Sequence, residues 1–190
     1  MRRHASPAAQ RGALMIEVLV TIVICVIGLW GLTKVQSRLQ MSEVESYQRS
    51  QALMLLEDMG TRIELNRINA ASYVTGSASP VGVGMTCSSS TTTLAQRDDG
   101  EWCGLLQGAA ETSSTSAKVG AMIGARGCVE NIGTNQYMIT VAWQGMSPLT
   151  APPSSVACGT NSYDATGTAC VSDLCRRTIT TVVRIGNLDS

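Results

Sequence analysis

The pattern of apolar and polar positions divides this chain into three stretches. From Ala13 to Thr33 nearly every residue is apolar, and Lys34 is the first cation after the run. These roughly 21 residues at about 1.5 Å each make roughly 31 Å of helix, close to the ~30 Å hydrocarbon core of a bilayer. No Pro interrupts the run, and Gly28 and Gly31 are its only weak helix formers. Between Lys34 and about Asn69 the pattern becomes amphipathic. Val44, Tyr47, Ala52, Leu55, Leu56, Met59 and Ile63 recur at steps of three to five, with charged residues between them. That spacing predicts a continued helix with one face to bury. The apolar half has lipid as its medium, whereas the amphipathic half needs a covering domain.

After Asn69 the periodicity changes. Tyr137 to Trp143 alternates, placing Tyr137, Ile139, Val141 and Trp143 on one face of a strand. Thr178 to Ile185 is β-branched and alternates loosely, and Cys128 to Ile132 leads through Gly133-Thr134-Asn135-Gln136 into the Tyr137 strand. Val81 to Ala95, Ser113 to Ala117, Pro148 to Pro153 and Asn161 to Thr168 read as loops. Three antiparallel strands covering the helix stripe make a small α+β domain. The predicted organisation is therefore 1–12 leader, 13–33 transmembrane half-helix, 34–69 amphipathic half-helix and 70–190 headgroup.

Composition sharpens this picture at the cysteines. Seven are present. Cys25 lies within the apolar run, where it is a small buried apolar residue. Cys87, Cys103, Cys128, Cys158, Cys170 and Cys175 all follow the run. An even set in a loop-rich exported domain reads as a disulfide framework, and a core with no Phe needs such staples. Six cysteines allow fifteen pairings, and spacing alone does not choose among them. The expected arrangement closes local loops with Cys87–Cys103 and Cys158–Cys170, leaving Cys128 for Cys175. Zinc is the rival reading; it lacks a C-x-x-C pair, and Cys170-x4-Cys175 is only half a site.

Candidate catalytic chemistry is sparse. The sole histidine, His4, sits in the predicted leader. Histidine-based triads and His-ligated metals therefore have no residue to use in the rest of the chain. Asp98-Asp99-Gly100-Glu101 is the densest acidic cluster, but it lacks the longer ligand series of a calcium loop and reads as a solvated turn. No phosphate loop, nucleophile elbow or dinucleotide fingerprint occurs. We expect no enzyme, no metal and no cofactor. Bases and acids balance at 14 each over the whole chain. Without Arg2, Arg3 and Arg11 acids exceed bases, and the headgroup is slightly acidic. Arg176-Arg177 is a short pair that reads as a sheet-edge or loop charge. This balance argues against nucleic acid as a partner.

One residue breaks the apolar pattern. Glu17 stands inside the run, and a carboxylate there is costly enough to count as a functional-site hypothesis. The basic leader (Arg2, Arg3, His4, Arg11) stops at Gly12, and no A-x-A site follows the run, unlike an ordinary secretory signal. The stretch Gly12-Ala13-Leu14-Met15-Ile16-Glu17-Val18-Leu19-Val20 resembles the class III signal of type IV pilins and pseudopilins. Ala13 stands where Phe is usual, and Met15 stands beside Leu14 where Thr-Leu is common. Downstream, Asp58-Met59, Arg62-Ile63, Asn66-Arg67, Gly127-Cys128-Val129, the Tyr137–Trp143 strand and Cys175-Arg176-Arg177 resemble PilV-type minor pilins. The chain also lacks the helix Pro that most major pilins carry near the position of Lys34.

The resemblance implies the pilin fold, a long helix on an antiparallel β-sheet headgroup. It implies that a prepilin peptidase cuts between Gly12 and Ala13 and methylates the Ala13 amine. It implies that Glu17 pairs with that amine on a neighbouring subunit, offsetting the cost of its charge. It further implies an inner-membrane anchor, N-terminus in, with a periplasmic headgroup that later reaches the cell surface in a pilus. The expected partners are the major pilin and other minor pilins, and the expected role is to help initiate assembly at or near the pilus tip. The alternatives are a minor pseudopilin of type II secretion and a pilus-tip adhesin or DNA receptor.

Overall fold

The computed structural model describes residues 11–109, 114, 120 and 122–186, with helix side chains from Met15 onward. The predicted leader through Gln10 and most of the Ser113–Ala117 loop lie outside the described residues. The chain falls into two compact units, Met1–Val44 and Glu45–Ser190.

Helix α1 runs over Arg11–Leu65. From Met15 to Val44 every residue is exposed. This helix is long and apolar enough to cross a membrane. It ends four residues before the expected Asn69. Asn66 and Asn69 adopt non-helical angles, and the Asn69 side chain donates to Asn66 Oδ1 at 2.9 Å. Asn competes for the backbone in this way, which makes it a helix terminator. The chain continues as a 3-10 segment, Arg67–Tyr73.

In the second unit the sheet has four antiparallel strands in the order β1-β2-β3-β4. They are β1 Val81–Gly82, β2 Arg126–Gly133, β3 Gln136–Gln144 and β4 Arg176–Arg184. The three sequence-predicted strands are present, and the short β1 adds a fourth inside a stretch expected to be loop. Val141 pairs with Gly127 on one side and Ile179 on the other. The β2–β3 hairpin turns through Asn135 at φ 54, a conformation Asn tolerates.

A second helix, α2 Leu94–Leu106, was not legible from the pattern. Its first turn is capped by Thr93, whose side chain accepts from the Gln96 N–H at 3.2 Å. The stretch Asp98–Glu101 is therefore helical rather than a solvated turn.

The core gathers Ala52, Leu56, Met59 and Ile63 from α1, Trp102 and Leu106 from α2, and Val129, Tyr137, Ile139, Val141 and Trp143 from the sheet. Positions 52, 56, 59 and 63 follow the helical repeat of the expected stripe. Val44 and Tyr47, also assigned to that stripe, are exposed; burial begins at Gln48. With no Phe available, Trp102 fills the largest volume, and its Nε1–H donates to the Leu55 carbonyl at 2.9 Å. Its ring lies where a Cβ on residue 127 would stand, so Gly127 is required on β2.

Three disulfides close the unit: Cys87–Cys103, Cys128–Cys158 and Cys170–Cys175. The first is the expected bridge. The expected Cys158–Cys170 and Cys128–Cys175 bridges are not formed. The reason is strand alternation and loop path. Cys128 and its neighbour Thr140 face away from α1, and the β3–β4 connection folds over that face, bringing Cys158 to Cys128. Cys170 and Cys175 then close a short turn ahead of β4. Loop-closure arithmetic assigns about 3.1, 3.6 and 2 kcal/mol to the three bridges in chain order.

Candidate functional site

The sequence-predicted site residues occupy different parts of the molecule. Gly12 and Ala13 lie in the first turn of α1; their side chains are outside what is described. Glu17 lies one turn further along, exposed, between Ile16 and Val18, which are 68% and 56% exposed. The ion pairs among the described residues all lie from Glu45 onward, and none of them includes Glu17. Trp30, 74% exposed, and the Val, Ile and Leu residues around it extend this uncovered surface. A helix that is apolar on all sides belongs in lipid or among other helices. Cys25 is on the same exposed surface with its thiol free, which corrects the expected burial as far as the chain alone is concerned.

The acidic cluster is held by an arginine. Arg62 Nε donates to Asp58 Oδ2 at 2.9 Å, one helical turn away. Its Nη1 donates to Asp98 Oδ1 at 3.0 Å and to Glu101 Oε2 at 2.8 Å. A guanidinium thus stands where a cation ligand set would otherwise converge. Burial works against the charge of Arg62, but the bonds to Glu101 and Asp58 and the field of Asp98 outweigh it and raise its pKa. Among the described residues no group of three or more His, Cys, Asp or Glu is placed to hold a metal.

Tyr73 completes the cluster. Its hydroxyl donates to Asp98 Oδ2 at 2.5 Å and accepts from the Asn66 side chain at 3.1 Å. Burial, then the bond to Asp98, pushes the phenol up to about 12. The network ties the end of α1 to α2 through the 3-10 segment. Asp99 points elsewhere. Burial and the adjacent Asp98 push its carboxyl up to about 7, and its Oδ1 is buried without a hydrogen-bond partner among the described residues. The Asp58–Arg62 pair was readable as an i, i+4 couple on a helix; the contributions of Tyr73 and α2 were not, because they come from distant sequence.

Arg176 and Arg177 open the edge strand β4, but neither is a free charge. Arg176 is buried, donates to the carbonyls of Val156 and Cys158 at 2.6 and 3.1 Å, and pairs with Asp173 at 3.2 Å. Arg177 grips Glu45 Oε1 with Nε and Nη2 at 3.2 and 3.1 Å and donates to the Ser147 carbonyl. Both guanidinium groups are ion-paired within the unit, although Arg176 Nε is buried without a hydrogen-bond partner among the described residues.

No family model, curated protein or solved structure matches the chain.

Proposed function

We propose that this protein is a pilin-like membrane subunit, a minor pilin of the PilV type, that helps initiate a type IV pilus and sits at or near its tip. One observation carries the reading: the apolar stretch from Met15 to Thr33, exposed on all sides, holds a single acid, Glu17, which none of the ion pairs among the described residues includes. Such a helix is stable in a bilayer, and equally stable when lipid is exchanged for the same helix of neighbouring subunits. A carboxylate at that depth calls for a positive partner. The α-amine created by cleavage after Gly12 is the group that meets this need without adding a cationic side chain to the apolar face. The disulfide-stapled α+β head suits an exported subunit, since bridges persist in oxidising compartments.

Intact mass and N-terminal sequencing of the membrane-extracted protein test the proposal. The expected product begins with N-methylated Ala13 and is six protons lighter than its reduced form. A chain still beginning at Met1 in cells with an active prepilin peptidase overturns it. Glu17→Ala should be processed normally yet assemble poorly; full piliation in that variant removes Glu17 from the mechanism.

A further inference from the structure

The second unit contains a feature that helix packing leaves unused. An open cleft of about 470 Å³ lies between the Ser77–Pro80 segment and the 157–162 loop, with Arg126 of β2 in its wall. Its volume falls in the range of small-molecule sites. Ser77, Thr160, Asn161 and Ser162 line it with hydroxyl and amide groups.

Arg126 differs from every other arginine of this unit. Arg62, Arg176 and Arg177 are ion-paired. Arg49, Arg67, Arg97 and Arg184 are exposed to water. Arg126 is half-buried, its Nε is sealed without a hydrogen-bond partner, and none of the ion pairs among the described residues includes it. A guanidinium partly withdrawn from water and outside any ion pair leaves its charge for an incoming anion to pair with.

The wall opposite Arg126 is already set. The Cys128–Cys158 bridge fastens the loop to β2 two residues along from Arg126. Arg176 holds the carbonyls of Val156 and Cys158, and the Asn161 N–H donates to Asp173 Oδ1 at 2.7 Å. Asn161 itself takes φ 58 and Gly159 φ 71. Loop residues held by a bridge, a buried guanidinium and a carboxylate lose little freedom when a ligand arrives.

We propose that this cleft binds a carboxylate-bearing monosaccharide, with Arg126 taking the carboxylate and the Ser77, Thr160, Asn161 and Ser162 groups taking sugar hydroxyls. The guanidinium fork matches a planar carboxylate. One unpaired cation matches one negative charge, whereas a phosphodiester chain needs a row of cations that this cleft lacks. Hydroxyls and an amide both donate and accept, as polyhydroxylated ligands require. The proposal concerns the head unit alone and stands or falls independently of leader processing and filament assembly.

Titration of the full disulfide-intact chain in detergent micelles tests it, with glucuronate, glucose, acetate and sulfate as probes, followed by calorimetry or NMR. Glucuronate should saturate in the millimolar range and bind at least about tenfold more tightly than glucose or acetate. Its affinity should fall with ionic strength. Arg126→Gln should weaken glucuronate binding at least about tenfold. Ser162→Trp, on the exposed rim, should block the cleft while leaving Arg126 in place, and it decides the question if Arg126→Gln fails to fold. No saturation by glucuronate, or unchanged binding in Ser162→Trp, overturns the proposal. Equal binding of acetate, sulfate and glucuronate also overturns it, since the site would then recognise a bare oxyanion.

Discussion

Residues Met15–Val44 and Glu45–Leu65 belong to one helix, yet their side chains have opposite relations to the rest of the chain. The first stretch is exposed throughout, although it is the most apolar part of the molecule. The second is far more charged, yet it buries Ala52, Leu56, Met59 and Ile63 almost completely. Hydrophobicity alone therefore does not say where a side chain is covered within its own chain. The first stretch has apolar residues on all faces and needs a surrounding medium; the second has them on one face and needs a single partner surface.

Substitutions in the two stretches and in the core that the second one packs against should separate these roles. Trp102→Ala removes the largest core side chain and should lower the unfolding free energy of the head by about 3–5 kcal/mol; Met59→Ala should cost about 2–5 kcal/mol. Ile24→Ala should change head unfolding by less than about 0.5 kcal/mol. Denaturant unfolding in micelles, followed by tryptophan fluorescence, measures all three. A large loss for Ile24→Ala would erase the distinction between the stretches.

Removing the Cys128–Cys158 bridge by paired Ala substitution should cost about 3–4 kcal/mol, because it closes the longest of the three loops. The loss should appear in the head and leave the proposed membrane association of α1 unchanged, read by carbonate extraction. Tyr73→Phe leaves Asp98 short of a donor in a buried setting. It should cost about 1–3 kcal/mol in the same unfolding measurement.

The smallest effect concerns Asp99. Its carboxyl is pushed from an ordinary 3.8 to about 7 by burial and by Asp98. Between those values the folded chain binds more protons at this site than the unfolded chain. The site's contribution to stability therefore falls as pH rises through that window and reaches its lower plateau above about pH 7. Asp99→Asn should flatten that slope and make the head slightly more stable at pH 8 than the parent. Melting temperature measured from pH 4 to 8 checks the sign, and a variant less stable at pH 8 would contradict it.

The elements whose signal is local were readable without coordinates. The apolar run, the Ala52–Ile63 stripe and the alternating face of Tyr137, Ile139, Val141 and Trp143 all follow from periodicity that a helix or strand imposes on adjacent residues. Helix α2 was obscured because its segment mixes Asp98, Asp99 and Glu101 with Gly100, a composition that suits a turn when taken alone. It forms because Arg62 neutralises one side of it and Trp102 and Leu106 anchor the other.

What the sequence by itself determined is the division of the chain: an apolar helix with Glu17 inside it, an amphipathic continuation, and a cysteine-bearing α+β head. Each follows from short-range order, since residues within a few positions decide helical or alternating burial. Only the tertiary structure decided which cysteines meet, why Asp98 is buried, and why the half-buried Arg126 is in no ion pair among the described residues while Arg176 and Arg177 each have one. Those outcomes depend on how α2 docks on the end of α1 and how the long β3–β4 connection crosses the sheet, both of which bring together groups far apart in the chain and are encoded by no local period.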